Sequence, residues 1–151
     1  MSVGERFENP RTGEIVEIIQ ETEDLLVMDV TWLRPGQRAA THVHPLMQER
    51  WTVVEGRAAF TIDDVHSEAG PGETRVAEAG QKHLAWNPRN EPVRLRIEMR
   101  PALRWAEFVR RLFGGEDGRA LATEFRSEIT FPRQEREFDP GTQEEPTIGP
   151  N

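Results

Sequence analysis

The chain has 151 residues, of which 36% are hydrophobic and 30% are charged, which suits one domain with a buried core and a charged surface. Its formal net charge of -8 argues against nucleic acid or an anionic membrane as the main partner, and no apolar run approaches the length of a membrane span or a signal-peptide core. The chain has no cysteine and no tyrosine, which excludes disulfides, thiolate ligands and tyrosine chemistry, and we expect a soluble, cytoplasmic protein.

The first part of the chain predicts a lead-in followed by two strands. Residues 1–12 are polar, and Pro10 and Gly13 mark a turn, which favours a flexible lead-in. Residues 14–20 predict the first strand. Residues 25–33 predict the second strand, which is apolar on both faces, as is typical of a strand between two layers. Its two faces carry Leu26, Met28, Val30 and Trp32 on one side and Leu25, Val27 and Leu33 on the other.

The next stretch, residues 36–56, carries the first chemical signal of the sequence. His42 and His44 are two residues apart, so on an extended strand both imidazoles leave the same face. Glu49 begins a second run rich in Trp, Thr and Val, which predicts a neighbouring strand. Two imidazoles and a carboxylate that converge from neighbouring strands indicate part of a metal site. The alternative is a pair of surface or hydrogen-bonded histidines.

Short strands with turns between them continue to residue 100. Residues 57–62 alternate loosely, residues 69–72 form a turn cluster, and residues 82–86 carry His83. The strongest alternation of apolar and polar residues follows over 93–100 and predicts a strand with one buried face. Its arginines, Arg94, Arg96 and Arg100, indicate either a solvated face or a cavity mouth that binds an acidic substrate. Many short strands with regular turns favour a sandwich or barrel.

The period of the pattern changes at Pro101. An apolar stripe at helical spacing predicts a helix that Pro101 begins, within its first turn, and that Gly114 and Gly115 end. The stripe consists of Trp105, Phe108, Val109, Leu112 and Phe113. Residues 119–126 predict a second short helix. Both helices are expected to pack on the outside of the barrel, with a dimer contact as the alternative. Residues 133–151 are polar and contain three prolines, which predicts a disordered tail.

Two glycine-flanked motifs make the chain resemble the cupin superfamily. The first motif of that family, with its His-x-His pair, falls on Gly36, His42, His44, Glu49 and Gly56. The second falls on Gly72, Gly80, His83 and Asn87, with Glu78 where proline is usual, a swap that loosens a turn and removes no ligand. The resemblance covers residues 24–99. It implies an all-β fold, an antiparallel jelly-roll β-barrel, with residues 13–132 as a single domain made of a barrel over 13–100 and a helical appendage over 101–132.

The metal ligands that the resemblance implies are His42, His44, Glu49 and His83. Three neutral imidazoles and one carboxylate suit one divalent transition metal ion, Fe, Mn, Zn, Ni, Co or Cu, and disfavour Ca and Mg. Four protein ligands leave one or two positions of a five- or six-coordinate ion for water, substrate or dioxygen. Glu49 is a ligand first, although the matching glutamate of some family members is a base. Trp51, Val53 and Ala85 are expected to face the cavity or the core beside the ligands.

The resemblance implies a protein that acts on a small molecule. The first expectation is an oxidoreductase of the dioxygenase type, an analogy that the fold alone does not carry, since one fold hosts many reactions. One alternative is a metal-dependent cyclase, isomerase or lyase that uses the ion as a Lewis acid. The other is a metal- or ligand-binding sensor without turnover. A homodimer is a partner arrangement that the resemblance allows, because members of the family often pair through their outer sheets.

Overall fold

The computed structural model describes residues 3–37 and 40–132. Within these ranges the chain forms eleven strands and then two helices. The strands are β1 Arg6–Glu8, β2 Ile15–Glu21, β3 Leu26–Trp32, β4 Gly36–Gln37, β5 His42–Val43, β6 Gln48–Glu55, β7 Ala58–Ile62, β8 Val65–Ala69, β9 Thr74–Ala77, β10 Lys82–Asn87 and β11 Val93–Arg100. The helices are α1 Trp105–Phe113 and α2 Gly118–Glu124.

The strands form two antiparallel sheets that enclose one apolar core. The first sheet has the order β1-β2-β3-β11-β6-β9, and the second has the order β4-β10-β7-β8, with β5 also paired to β10. Buried side chains from both sheets belong to one cluster between them. The predicted all-β jelly roll with C-terminal helices packed against it is confirmed. Of the helices described, none is long and apolar enough to cross a membrane.

The alternation along β11 shows which face of the first sheet is exposed to solvent. Val93, Leu95, Ile97 and Met99 are buried, while the arginines between them point to the outer face. Arg96 forms a bidentate ion pair with Asp29 on that face, with distances of 2.8 and 3.0 Å. The arginine row is therefore part of the solvated face, and the alternative of an acidic-substrate mouth is wrong.

The second predicted strand is buried mainly on one face. Its inward residues lie in the core, but of the outward apolar residues only Val27 is buried, and Leu33 is 48% exposed. The run is apolar on both parities, yet within residues 3–37 and 40–132 no second layer covers its outer face over the whole strand. The expectation of a strand held between two layers is thus met only at Val27.

The N-terminal residues are more ordered than predicted. Arg6–Glu8 pairs with β2, and Phe7 packs partly against the core, so this part differs from the flexible lead-in expected over 1–12. Glu5 also accepts an ion pair from Arg110 of α1 at 2.9 Å. The pairing of β1 with β2 and the ring of Phe7 attach this otherwise polar segment to the barrel. The disordered tail predicted over 133–151 lies outside the described residues.

Helix α1 follows a turn that the sequence does not reveal. The peptide bond between Arg100 and Pro101 is cis, Leu103 has a φ of 45°, and the helix begins only at Trp105. The expectation that Pro101 lies in the first helical turn is therefore wrong. The predicted end is confirmed, because the backbone N–H of Gly114 caps the last turn. The apolar face of α1 packs on the barrel core through Ala106, Val109 and Phe113.

Candidate metal centre

Three short segments bring the four predicted ligands together between the sheets. His42 lies on β5 and is paired in register with His83 on β10, while His44 follows directly after β5. Glu49 reaches the same point from the opposite sheet, on β6. One nitrogen or carboxylate oxygen of each residue lies within 4.8 Å of the others. The four residues therefore form a group that can bind a metal ion.

The group is buried but has one accessible side. His44 is 1% exposed, His83 is 2% exposed and Glu49 is 8% exposed. His42 is the least buried of the four residues, so the group is most accessible at His42. A charged carboxylate at such depth is stable only with compensating partners. The two partners closest to it are imidazoles, which carry no charge in their neutral form.

The backbone determines which nitrogen of each imidazole faces the centre. The Nδ1 atom of His42 lies 2.8 Å from the carbonyl oxygen of Ala40, and that of His83 lies 3.1 Å from the carbonyl oxygen of Gln81. The Nδ1 atom of His44 lies 2.8 Å from the carbonyl oxygen of Glu128. A carbonyl oxygen only accepts hydrogen bonds, so each Nδ1 must carry the proton. In a neutral imidazole, Nε2 then carries a lone pair, which is the metal-binding form.

The distances between Glu49 Oε1 and the Nε2 atoms show whether a metal ion fits between them. Glu49 Oε1 lies 3.0 Å from His44 Nε2 and 3.2 Å from His83 Nε2. With neutral imidazoles all three atoms are acceptors, and they repel one another unless protons on the imidazoles or a cation lie between them. Two donors bound at about 2.1 Å and at right angles to each other are roughly 3.0 Å apart. The donor types and the two distances therefore fit a divalent transition metal ion.

Burial and close contacts shift the pKa values of His42 and Glu49. Burial, followed by the nearby His83 and His44, lowers the pKa of His42 well below its ordinary value, so that His42 is neutral at pH 7. Burial alone would raise the pKa of Glu49, but hydrogen bonds from His44 and His83 hold that pKa well below its ordinary value in the metal-free site; these bonds require protons on both Nε2 atoms, since each Nδ1 already donates to a carbonyl. Glu49 is thus an ionised carboxylate, as a ligand requires.

A cavity of about 120 Å³ extends from the four residues into the core. Its wall includes side chains of both sheets and all five residues of the apolar stripe of α1. Trp51 shares the inward face of β6 with Glu49 and lies edge-on to His83, with ring centroids 5.4 Å apart. Trp51 thus packs in the core and lines the cavity, as Ala85 also does, whereas Val53 is buried without lining it.

Helix α1 has a role at the site that its sequence pattern did not indicate. Trp105 lies edge-on to His44 with ring centroids 4.7 Å apart, and Val109, Leu112 and Phe113 line the cavity. The periodicity of the stripe predicts a buried helix face but does not say which surface covers it. Part of that covered surface is the cavity, so α1 forms one of its walls.

Glu128 is the functional residue that the sequence analysis missed. Its backbone carbonyl accepts the hydrogen bond from His44, and its side chain, 2% exposed, receives a bidentate ion pair from Arg104 at 3.0 and 2.9 Å. The neighbouring Thr130 exchanges two backbone hydrogen bonds with Val43 of β5, at 2.8 and 2.9 Å. A backbone carbonyl leaves no residue-type signal in a sequence, so this contact could not have been predicted.

The structure explains several residues of the two glycine-flanked motifs. A Cβ atom on Gly56 would lie 2.3 Å from the carbonyl oxygen of Pro92, so only glycine fits there. The turn at Glu78 is closed by hydrogen bonds, from the Glu78 N–H to Gln81 Oε1 at 2.8 Å and from the Gln81 N–H to the Glu78 carbonyl at 3.0 Å. Proline in place of Glu78 would lack the first of these donors. Asn87 is fully buried and fixes the next turn through three hydrogen bonds, so it is not a ligand.

Comparisons with known proteins agree on the fold. The family profile described as "Cupin domain" matches residues 30–99. A solved structure of an uncharacterized conserved protein with a double-stranded beta-helix domain from Klebsiella pneumoniae is 32% identical, with 58% of this chain and 76% of that chain covered and a TM-score of 0.52. None of the curated proteins matches the chain.

Two further solved structures share the fold at low identity. A RmlC-like cupin from Shewanella frigidimarina is 18% identical, with 64% of this chain and 83% of that chain covered and a TM-score of 0.57. A sugar phosphate isomerase from a cupin superfamily, from Silicibacter pomeroyi, is 18% identical, with 58% of this chain and 59% of that chain covered and a TM-score of 0.51. At this identity the likeness concerns the fold alone.

Proposed function

This chain belongs to the cupin superfamily, and from that premise we propose that it is a divalent-metal-dependent enzyme acting on a small molecule bound in the cavity. The observation that carries the proposal is the set of three imidazoles whose Nδ1 atoms are held by backbone carbonyls. The Nε2 atoms of His44 and His83 lie 3.0 and 3.2 Å from Glu49 Oε1, and among the described residues no Arg or Lys forms a salt bridge with Glu49.

The four side chains would hold the ion, and the residues around them would orient the imidazoles and exclude water. When bound, the ion would supply Lewis-acid polarisation of a substrate oxygen and, if it is iron or copper, one-electron chemistry with dioxygen. The backbone carbonyls keep the imidazoles in the binding tautomer. Trp51 and Trp105 pack edge-on to His83 and His44, which fixes the ring planes and excludes water from that side.

Within this proposal, an oxidoreductase of the dioxygenase type remains the first choice. A mostly apolar cavity beside the ligand set suits dioxygen and an organic substrate better than a hydrolytic reaction, which needs water at the same point. Glu49 supports the same choice, because one of its oxygens lies between two imidazoles and is engaged as a ligand would be, which leaves it poorly placed as a base.

The second candidate is a non-redox isomerase, cyclase or lyase. The neighbour described as a sugar phosphate isomerase raises this possibility through its fold only. The cavity wall argues against a phosphorylated substrate, because the described lining contains no Arg or Lys. A sensor without turnover is the third candidate, and it differs from the others by metal binding without substrate consumption.

The first test of the proposal is metal analysis of protein purified without added metals and without an affinity tag. We expect about one divalent ion per chain in the wild-type protein and its loss in His44→Ala, with the barrel still folded by circular dichroism. His66→Ala is the matched control, because His66 is exposed and lies outside the group. Full occupancy in His44→Ala would overturn the assignment.

The identity of the ion then separates the candidate reactions. Iron or copper together with substrate-dependent oxygen uptake, measured with an oxygen electrode, would support the dioxygenase type. Turnover that continues without oxygen would support the non-redox candidate and exclude the first choice. Metal binding without consumption of any bound small molecule would support the sensor.

A further inference from the structure

The cavity runs along the strands, away from the four candidate ligands. Across the first sheet, Met28 of β3 is level with Ile97 and Trp51, near the ligands, while Trp32 is level with Val93. Four residues of a strand separate Met28 from Trp32, which corresponds to roughly 13 Å. The far end is marked by Glu14, whose carboxylate accepts a hydrogen bond from the Trp32 indole N–H at 2.9 Å.

The wall between these two ends is apolar. It consists of aliphatic and aromatic side chains of both sheets and of α1, which include Val16, Val30, Ile97, Val109, Leu112 and Phe113. A hydroxyl or amide buried against such a wall without a partner loses its hydrogen bonds to water, and this desolvation cost weakens binding. A sugar with several hydroxyl groups would pay this cost repeatedly. The wall therefore selects molecules with few polar groups.

The charges at the wall select against anions. The ionisable side chains in the described lining are the carboxylates Glu14 and Glu49 and the imidazoles of His42, His44 and His83. The protein thus offers no permanent cation to a phosphate or carboxylate there. Among the side chains of the described lining, an anionic ligand would find no Arg or Lys as its partner.

The volume limits the size of the occupant. A dry cavity of about 150 Å³ lined by Leu, Ile and Phe is known to bind benzene. A cavity of about 120 Å³ therefore admits one small ring or a short branched chain. A larger ligand would extend beyond the cavity toward solvent.

We propose that the cavity binds an uncharged, mostly apolar molecule of about six to eight non-hydrogen atoms, with an oxygen function at the end lined by His42, His44, Glu49 and His83. That this occupant is the substrate rests on the proposed function. The selectivity of the cavity for apolar and uncharged molecules rests on its wall alone, and it holds in metal-free protein.

Phenol binding to the metal-free protein tests the proposal. We expect phenol to shift the NMR signals of the Met28 and Ile97 methyl groups, which line the cavity near the ligands, with saturation at millimolar concentration. Glucose 6-phosphate at the same concentration is expected to leave both signals unchanged. Tighter binding of glucose 6-phosphate than of phenol, or phenol shifts confined to surface residues, would overturn the proposal.

A pair of matched variants locates the bound phenol. Val30→Phe fills the cavity from β3 and is expected to weaken phenol binding at least tenfold, while Val30→Ile, which is easier to accommodate, weakens it severalfold. Val54→Phe is the control, because Val54 is 48% exposed and lies outside the cavity lining. Unchanged phenol affinity in both Val30 variants would overturn the proposal. Phenol binding by a protein that fails to bind metal would refute the proposed function and leave this inference standing.

Discussion

At the scale of single residues, Glu49 is the side chain whose chemistry depends most on a bound cation. Its carboxylate is almost fully buried, and one of its oxygens lies near the Nε2 atoms of both His44 and His83. With Nδ1 protonated, those Nε2 atoms need a donor or a cation opposite them. A carboxylate supplies no donor, so the metal-free site pairs acceptors with acceptors unless the imidazoles take up protons.

This predicts opposite effects of Glu49→Gln on the metal-free and metal-bound proteins. The amide N–H₂ group can donate to both Nε2 atoms, so metal-free Glu49→Gln should melt at or above the temperature of metal-free wild type. An ion present at about 1,000 times its Kd stabilises wild type by about 4 kcal/mol, and the variant should lose most of this gain. Thermal melts with and without Zn²⁺ measure both effects.

Glu55→Gln is the control for that measurement, because Glu55 lies on the same strand and pairs with Arg94 on the exposed face. It should behave like wild type in both states. A large loss of stability in metal-free Glu49→Gln would contradict the described arrangement of donors and acceptors.

At the scale of elements, the C-terminal segment holds His44 in position through its backbone. The ion pair between Arg104 and Glu128 joins the turn before α1 to the loop after α2, and this loop supplies the carbonyl that holds His44. Arg104 also lies over the ring of Phe125 at 4.2 Å. The helical appendage thus positions a candidate ligand as well as covering the barrel.

Arg104→Met should therefore weaken metal binding through His44. The substitution removes the guanidinium partner of the buried Glu128 carboxylate and leaves it only the backbone N–H of residue 104, so we expect a lower melting temperature and a metal affinity reduced severalfold. Arg96→Met is the matched control, because it removes an equally bidentate ion pair with Asp29 far from the site. Calorimetric titration with Zn²⁺ compares the two variants, and equal affinities would refute the positioning role of the pair.

The apolar face of α1 leads to a second prediction at this scale. Phe108 is 1% exposed and packs with Leu121, Phe125 and Ile129, so Phe108→Ala should destabilise the fold by about 3–5 kcal/mol at every protein concentration. Leu103→Ala, at a residue 40% exposed, should change stability by less than about 0.5 kcal/mol. Chemical denaturation at several protein concentrations measures both, and strong concentration dependence would instead identify α1 as a dimer contact.

At the scale of the whole molecule, the sequence predicts what depends on side-chain type and period. The alternation over 93–100 is visible because one face of β11 is buried, and the ligand group is visible because imidazoles and a carboxylate recur at fixed offsets between glycines. Contacts made by backbone atoms are invisible, as at Glu128, and so is the turn that delays α1 beyond Pro101. The strand at 25–33 misled because apolar side chains also occur on solvated faces.

Residues 133–151 provide a prediction about the extent of the fold. Their polar, proline-containing composition offers few groups to bury, so their deletion should change the melting temperature by no more than about two degrees. The predicted homodimer can be checked on the same samples by sedimentation. A large fall in melting temperature, or a change in oligomeric state, would show that the tail packs on the barrel or on a partner.

The anchoring of the three imidazoles by backbone carbonyls has a consequence for the mutational tolerance of the chain. Exchange of Ala40 or Gln81 for another residue keeps the carbonyl, so the anchor survives most substitutions at those positions. A change of loop length moves the carbonyl itself. Between α2 and Thr130, where the anchor of His44 lies, insertions and deletions should therefore be far more damaging than point substitutions, and a deep mutational scan that includes both kinds would show this contrast.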